Sequence, residues 1–345
     1  MNNTSKVLIG LIVIMASVLI VLLVLIFKEK NRQSVIPNQQ QVSNLNQQQV
    51  SKEKKYPSDL QGKVYLTLRA KDAQNIGIYY FDLTSRELIE VNVPQDCMLV
   101  GGGLNSIGNK MAVSSNCESE NPEIFQIYAN DIGKNSTVIT KSLNDFKKEA
   151  TWSPDNKKIA FSLAAPAVSV NPNPELKISA WNIFTSDLEG NEQFIVNGSH
   201  PFFSPDGKKI LVLREKGIFL VDIETASGEL VHFFEKKMES SMHLGLSEQK
   251  DRLAVSDPYN RNITIFNIKS WDNFEMEEIQ KIETEDSYVS WPKFSPSDQK
   301  YLITQAVFDD KSVGLVAYDL ETKEQYFILD LSEYMDTSLW INDWR

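Results

Sequence analysis

Short apolar runs recur at nearly equal intervals through the chain from about residue 58 onward. The segment Ser153–Ser162 (SPDNKKIAFS) matches Ser204–Leu213 (SPDGKKILVL) and Ser295–Thr304 (SPSDQKYLIT), and weaker copies start at Ser106 and Ser247. The first serines of these copies lie 47, 51, 43 and 48 residues apart. In each copy a short apolar strand precedes the serine and a β-rich strand follows it. A period of this length indicates a repeat fold.

Each repeat also contains a third strand, which ends in an acidic turn, and a fourth strand after that turn. The acidic turns include Phe81–Thr84 (FDLT), Asp187–Gly190 (DLEG), Val221–Thr225 (VDIET) and Tyr318–Thr322 (YDLET). A unit is therefore a four-stranded antiparallel meander of about 45 residues. Because one such sheet cannot bury both of its faces, the units are expected to stack radially around an axis.

The Ser-Pro-Asp-Gly segments are typical of turns. Proline presets φ, aspartate bonds back to the backbone, and glycine or asparagine accepts a positive φ. These serines and aspartates could be imagined as catalytic, but their recurrence in unit after unit favours a structural role.

The two ends of the repeat region complement each other. The first unit, Lys63–Val93, has three strands only (KVYLTLR, IGIYYFD and ELIEVNV), and the C-terminal segment Ser338–Trp344 resembles the missing strand. Our alignment places Leu339–Asp343 over Thr151–Asp155. We therefore predict that the chain end completes the first unit and leaves no open sheet edge in the ring. Five full units and one shared unit predict an all-β, six-bladed β-propeller over residues 58–345.

The residues before the repeats differ in composition. Val7–Phe27 contains 21 positions without a charge, enough for a helix of about 30 Å, the thickness of a bilayer core. The run ends in Lys28-Glu29-Lys30 with no cleavage pattern, which favours an uncleaved transmembrane helix over a signal peptide. Residues 1–6 form a short tail, and residues 28–57, rich in Gln and Asn, are predicted to be a disordered tether.

The W/F-S-P-D-G-K-K-I pattern resembles the TolB-type repeat, the WD40-like PD40 β-propeller family. It is strongest at Trp152–Ser162 and Phe203–Leu213, and the resemblance covers most of residues 58–345. It implies a six-bladed propeller with an extracytoplasmic address. TolB proper is a soluble periplasmic protein with an additional N-terminal domain. Here the predicted anchor and tether replace that domain, so the Tol-Pal function is not expected to carry over.

Net charge and the absence of common enzyme motifs exclude several classes of function. Residues 58–345 contain 28 Lys and Arg against 44 Asp and Glu, and this net charge of −16 makes nucleic acid an unexpected partner. The sequence has no G-x-S-x-G, H-E-x-x-H, Walker A or G-x-G-x-x-G motif. We interpret the isolated Gly101–Gly103 as a loop before the turn of the second unit. The propeller is expected to be a monomer without a cofactor.

Two signals conflict on the orientation in the membrane. Lys28, Lys30 and Arg32 follow the apolar run and only Lys6 precedes it, so the positive-inside rule places the propeller in the cytoplasm. The two cysteines argue the opposite. If Val100 pairs with Ser114, Cys97 lies opposite Cys117 on adjacent strands, within reach of a disulfide, and disulfides persist outside the cytosol. The alternative is two unrelated buried thiols. We favour a single-pass membrane protein with an extracytoplasmic propeller.

The candidate site lies at the mouth of the central channel. Glu149, His200, His243 and Trp291 stand four residues before the repeat serines, at the start of the innermost strands, and Thr337 takes the corresponding place on the tail strand. A carboxylate, two imidazoles and an indole around one opening could bind a metal ion or a polar ligand. They could equally just fill a polar channel mouth. We expect a binding mouth without a metal and without catalytic residues.

The insertion at residues 164–176 (AAPAVSVNPNPEL) is predicted to lie on the same face of the propeller. The expected function is recognition of a protein, a peptide or a cell-envelope polymer at the mouth. One alternative is a propeller-type lyase or glycosidase that uses Glu149, His200 and His243, and another is a structural spacer.

Overall fold

The structure is a computed structural model that describes residues 57–69, 76–92, 98–117, 126–131, 136–140, 147–164, 181–214, 217–234, 242–284, 287–334 and 340–345. No helix within these ranges is both long and apolar enough to cross a membrane. The predicted tail, the predicted span over residues 7–27 and residues 28–56 of the predicted tether lie outside the described residues. So do Cys97, Thr337 and residues 165–176 of the insertion.

The described residues form six antiparallel sheets of four strands each, as the repeat predicts. From the innermost strand outward, the first three blades are β24 (Trp340–Trp344), β1 (Lys63–Leu68), β2 (Gly77–Asp82) and β3 (Glu87–Asn92); β4 (Leu99–Leu104), β5 (Lys110–Ser115), β6 (Gln126–Asp131) and β7 (Ser136–Val138); and β8 (Lys147–Trp152), β9 (Lys158–Ala164), β10 (Trp181–Asp187) and β11 (Glu192–Asn197). The other three are β12 (Ser199–Phe203), β13 (Lys209–Arg214), β14 (Gly217–Asp222) and β15 (Gly228–Phe233); β16 (His243–Leu246), β17 (Arg252–Asp257), β18 (Asn262–Ser270) and β19 (Glu275–Glu283); and β20 (Ser287–Phe294), β21 (Tyr301–Phe308), β22 (Val313–Asp319) and β23 (Gln325–Asp330).

The blades close into a ring. Each innermost strand contacts the innermost strands of the blades on either side, from β4 through β8, β12, β16 and β20 to β24, and β24 contacts β4 again. The chain end supplies the first strand of blade 1: Arg345 and Lys63 exchange backbone hydrogen bonds of 2.5 and 3.0 Å. The predicted all-β six-bladed propeller and its closure by the C-terminal strand are confirmed.

Hydrophobic clusters lie between neighbouring blades rather than inside them. Val64 and Leu66 of blade 1 pack with Ile303 and Leu315 of blade 6, and five further clusters occupy the other five blade junctions. A single four-stranded sheet has no second layer to cover its faces, so each blade packs against its neighbours instead. Contact between neighbouring blades therefore removes this apolar surface from water and stabilises the ring.

The repeat serines have the predicted turn role. Ser153 Oγ donates to Asp155 Oδ1 at 2.7 Å and accepts the Lys158 N–H at 2.9 Å, so the side chains hold the hairpin between β8 and β9. The same two kinds of bond occur at Ser204, Ser247 and Ser295. In blade 2 the equivalent residue is Asn105, which accepts the Lys110 N–H at 3.0 Å. The assignment of Ser106 to this place was wrong by one residue.

The alignment of the closing strand was wrong by four residues. Trp344 pairs with Val64 at the start of β1, as Trp152 pairs with Ile159 at the start of β9. Trp344, and not Trp340, therefore takes the place of Trp152. By residue type alone, Trp340 and Trp344 both match the position of Trp152 in the repeat. The backbone pairing decides between them.

The interpretation of Gly101–Gly103 as a loop was also wrong, because all three residues lie in β4. A Cβ on Gly102 would lie 2.4 Å from the Ala150 carbonyl oxygen and 2.8 Å from that of Ala112. Glycine is required here because β4 approaches its neighbours too closely for a side chain.

Candidate functional site

Bulges in the innermost strands place the candidate residues at the channel. The register of β8, β12 and β20 shifts at Glu149, His200 and Trp291, so that two residues face one on the partner strand. These three residues have φ of 56°, 55° and 56°, a region that residues with a Cβ seldom adopt. A bulge bends its strand and redirects the side chain. His243 differs, because it pairs in regular register with Ser256.

Glu149 and His200 are directly linked across two blades. The Glu149 carboxylate accepts the Ser162 hydroxyl at 2.7 Å and the His200 backbone N–H at 2.9 Å. Its other oxygen pairs with Lys148 Nζ at 2.7 Å and lies 3.6 Å from Nε2 of His200, too far for a hydrogen bond. The His200 side chain is 6% exposed, and its Nδ1 lies 3.1 Å from Ser199 Oγ.

Aromatic rings continue the site across the next blades. The ring centroids of His243 and Trp291 are 3.9 Å apart, and His200 lies 5.2 Å from His243 and 5.7 Å from Trp291. Trp340 of the closing strand lies 6.2 Å from Trp291, edge to face. The structure thus brings together the four described candidates, Glu149, His200, His243 and Trp291, which the sequence placed around one opening.

Trp340 is the site residue that the sequence analysis missed. Thr337, which we assigned to the fifth position, lies outside the described residues. In the observed register Ile341 occupies the place of Glu149, and Trp340 precedes it. The sequence alone did not give this register, because β24 is far from β1 in the chain and only the pairing of Trp344 with Val64 fixes it.

Burial and neighbouring charges together set the protonation states of Glu149, His200 and His243. Burial alone would raise the pKa of Glu149, but His200, Lys148 and the Ser162 hydroxyl outweigh it and hold the pKa well below its usual range. Burial lowers the pKa of His200 to about 4, against the opposing charge of Glu149. Burial, reinforced by His200, also holds the pKa of His243 well below its usual value. At neutral pH the site therefore holds an ionised carboxylate and two neutral imidazoles.

Two imidazole nitrogens in the site lack partners. Nε2 of His200 and Nδ1 of His243 are buried and have no hydrogen-bond partner among the described residues. A buried polar atom without a partner costs about 1–3 kcal/mol, and such atoms call for an explanation. Both belong to rings that pack against Trp291, and the described part of the fold leaves these two nitrogens unsatisfied.

A cavity of about 100 Å³, which we call the mouth cavity, lies beside His200 and Trp291. Its lining includes Glu149, His200, Trp291 and Trp340, together with Gly101–Gly103. A second cavity of about 320 Å³, the lower cavity, is lined by the serine turns and the end of the closing strand. Both cavities are lined by Phe202, Lys293 and Asn342, among other residues, and therefore adjoin along the channel.

The Glu149 carboxylate is held by groups of the protein itself. Most glycosidases use two carboxyl groups, of which one must hold a proton. Glu149 is the only carboxylate among the described lining residues of the mouth cavity, it is ionised, and both of its oxygens are engaged by Lys148, Ser162 or the His200 backbone. Among the described residues no three His, Cys, Asp or Glu side chains are placed to hold a metal ion.

The cysteine region agrees with the predicted register. Val100 pairs with Ser114, as the disulfide argument requires. Cys117 takes part in a disulfide bond. The other cysteine of the chain, Cys97, lies outside the described residues.

Comparison with known proteins identifies the fold. No protein-family model matches the chain, and no curated protein matches it. TolB from Acinetobacter baumannii is similar in structure, with a TM-score of 0.60 and 17% identity over 84% of this chain and 67% of that protein. A putative TolB from Agrobacterium tumefaciens has a TM-score of 0.51 and 13% identity over 82% of this chain and 93% of that one. A chain of a nidogen/laminin complex has a TM-score of 0.56 and 11% identity, covering 81% of this chain and 97% of that one.

At these identities the similarity shows the fold alone. The chain has a TolB-like six-bladed propeller fold. Its assignment to the PD40 repeat family stays a prediction, since no family model matches.

Proposed function

We propose that this protein is a membrane-anchored, extracytoplasmic binding module whose channel mouth recognises a protein, a peptide or an envelope polymer. The observation that carries the proposal is the mouth cavity, which is lined by His200, Trp291 and Trp340 from three blades. The buried Nε2 of His200 has no hydrogen-bond partner among the described residues, and the His243 ring packs against Trp291. Pockets of this kind, mostly apolar with a few convergent polar atoms, are typical of ligand sites.

Two features support the proposed location. The uncharged run Val7–Phe27 is long enough to span a bilayer. Cys117 is in a disulfide bond, and disulfides form and persist in oxidising compartments. The test is the labelling of cysteines in intact cells with a membrane-impermeant thiol reagent. We expect labelling only after reduction with an impermeant reductant. Labelling that requires opening of the membrane would place the propeller in the cytoplasm.

Site-specific photocrosslinking in intact cells tests the binding function. A photoreactive benzoylphenylalanine replaces Trp340 in the mouth, and a matched chain carries it instead of Lys208, an exposed turn residue outside both cavities. We expect a discrete crosslinked species from position 340 that is absent from position 208. The additional substitution His243→Ala should weaken it. Identical patterns from both positions would contradict a specific mouth site.

A further inference from the structure

One lysine in the channel has no ion-pair or hydrogen-bond partner among the described residues. The side chain of Lys293, two residues after Trp291 on β20, lines both the mouth cavity and the lower cavity. Its Nζ lies 6.0 Å from the centroid of the Phe202 ring. Among the described residues it makes no ion pair and no hydrogen bond.

The other cations along the channel differ from Lys293 in this respect. Lys148 pairs with Glu149 at 2.7 Å, and Arg345 pairs with Glu248 and Asp343. Lys250 donates to two backbone carbonyl groups at 2.7 and 3.2 Å. Each of these charges is therefore compensated within the fold.

A half-buried cation without an ion pair is unfavourable for the fold. Burial lowers the pKa of Lys293, because the charged form loses water that the protein does not replace. Asp343 opposes this effect and Arg345 reinforces it. A group kept at such a cost is a candidate for ligand recognition, and the chemistry that satisfies an ammonium group is an anionic oxygen.

The shape of the channel favours one class of ligand. The mouth cavity of about 100 Å³ is small, which favours one side chain or one chain end as the inserted group. β4 also packs against β8 too closely for a Cβ at Gly102, so this side cannot widen easily. Trp291 and Trp340 at the mouth offer ring faces for the apolar residues that flank an inserted group.

We propose that Lys293 binds a carboxylate of a peptide segment that enters the channel past Trp291 and Trp340. This inference rests on the proposed function and names the ligand of the same site. The carboxylate could belong to an Asp or Glu side chain or to a peptide C-terminus. The shared chemistry is an anionic oxygen pair at the ammonium group, with apolar neighbours against the two indoles.

Three short peptides with the same two phenylalanines separate these sources. The first is N-acetyl-Phe-Glu-Phe-amide, the second is its neutral isostere with Gln and an amide end, and the third has Gln and a free C-terminal carboxylate. Their affinities for the full-length chain in detergent micelles are measured by isothermal titration calorimetry. A hydrogen bond to a charged group contributes about 1.5–3 kcal/mol. We therefore expect at least one acidic peptide to bind about tenfold or more tightly than the neutral one.

The substitution Lys293→Met should abolish this preference, and Lys293→Arg should retain it. The matched control Lys208→Met, which removes an exposed lysine outside the channel, should leave all affinities unchanged. Because Lys293→Met removes an unpaired, half-buried charge while keeping most of the side-chain volume, the free energy of unfolding should stay the same or rise. A purely structural lysine would instead give a loss of stability.

Several results would overturn the inference. These are equal affinity of the wild-type chain for the three peptides, binding of none of them, retention of the preference by Lys293→Met, and tighter binding of the neutral glycan chitotetraose. The variant Trp340→Ala separates this inference from the proposed function. If Trp340→Ala weakens binding and Lys293→Met does not change the preference, the carboxylate assignment alone fails. If Trp340→Ala leaves the binding of every probe unchanged, the mouth site itself fails.

Discussion

The substitution Trp344→Ala tests how the ring is closed. The Trp344 side chain is 3% exposed, packs in the cluster between blades 1 and 6, and donates from Nε1 to the Gln61 carbonyl at 3.0 Å. Replacing a buried tryptophan by alanine costs about 3–5 kcal/mol. The lost hydrogen bond, about 1 kcal/mol, is part of that figure. We expect a loss of this size in the free energy of unfolding.

The assay is urea unfolding of the full-length chain in detergent solution, followed by circular dichroism of the strands. The matched control is Trp340→Ala, four residues earlier on the same strand, where the half-buried indole faces the mouth. Its expected cost is about 1 kcal/mol. A loss below about 1 kcal/mol for Trp344→Ala would refute the reasoning. So would a larger loss for Trp340→Ala, the result that the alternative register with Trp340 at the place of Trp152 requires.

Three other substitutions have specific expected outcomes. The pKa of His200 is lowered to about 4, whereas an unfolded histidine titrates near 6.5. Between these values the unfolded chain binds more protons, so the free energy of unfolding falls as the pH drops. In urea titrations His200→Gln should reduce the slope of this free energy against pH by up to about 1.4 kcal/mol per pH unit, and an unchanged slope would contradict the lowered pKa. Gly102→Ala should destabilise the fold by about 1–3 kcal/mol, because the new Cβ would meet two backbone carbonyl oxygens. In the control Gly103→Ala the new Cβ has no neighbouring atom closer than 3.8 Å, so its cost should be smaller. Equal urea midpoints of the two variants would argue against the close approach of the strands. Ser204→Ala should lower the free energy of unfolding by about 1–2 kcal/mol, because Ser204 is buried and its hydroxyl accepts a backbone N–H. The exposed control Ser227→Ala should lower it less. The reverse order in unfolding experiments would contradict a structural role of the repeat serines.

The blade count and the ring closure could be predicted because they depend on period alone. A repeated turn fixes where each unit begins, and a first unit of three strands requires a fourth from elsewhere in the chain. The serine turns could also be predicted, because each turn is formed by residues close together in the sequence. Here the physical cause lies within about ten residues, which is the range that sequence patterns describe well.

Features that depend on contact between blades were harder to predict. The register of β24 is fixed by burial of Trp344 against blade 6, and nothing local to the tail distinguishes it from Trp340. The extended conformation of Gly101–Gly103 is imposed by the narrowness of the channel, so a glycine run that is typical of a loop lies in a strand. The unpaired state of Lys293 could not be foreseen either, because it depends on where side chains of other blades lie, and none of the described ones pairs with it.

The candidate site was predicted in part for a physical reason. Glu149, His200, His243 and Trp291 share one position relative to the repeat serines, so the symmetry of the ring brings them to one opening. The hydrogen bond from the His200 backbone to Glu149 depends on bulges with positive φ. Local sequence gives no sign of these bulges, since none of the three residues concerned is glycine.

Oxidative footprinting of tryptophans in native membranes tests the central claim most directly. Hydroxyl-radical labelling of Trp291 and Trp340 is compared between native membranes and the detergent-purified chain, with Trp271, which lines neither cavity, as the internal reference. A mouth occupied by its ligand predicts that Trp291 and Trp340 are protected in native membranes and become labelled after purification, while Trp271 is labelled equally in both. Equal labelling of all three tryptophans in both preparations would contradict a binding site at the mouth.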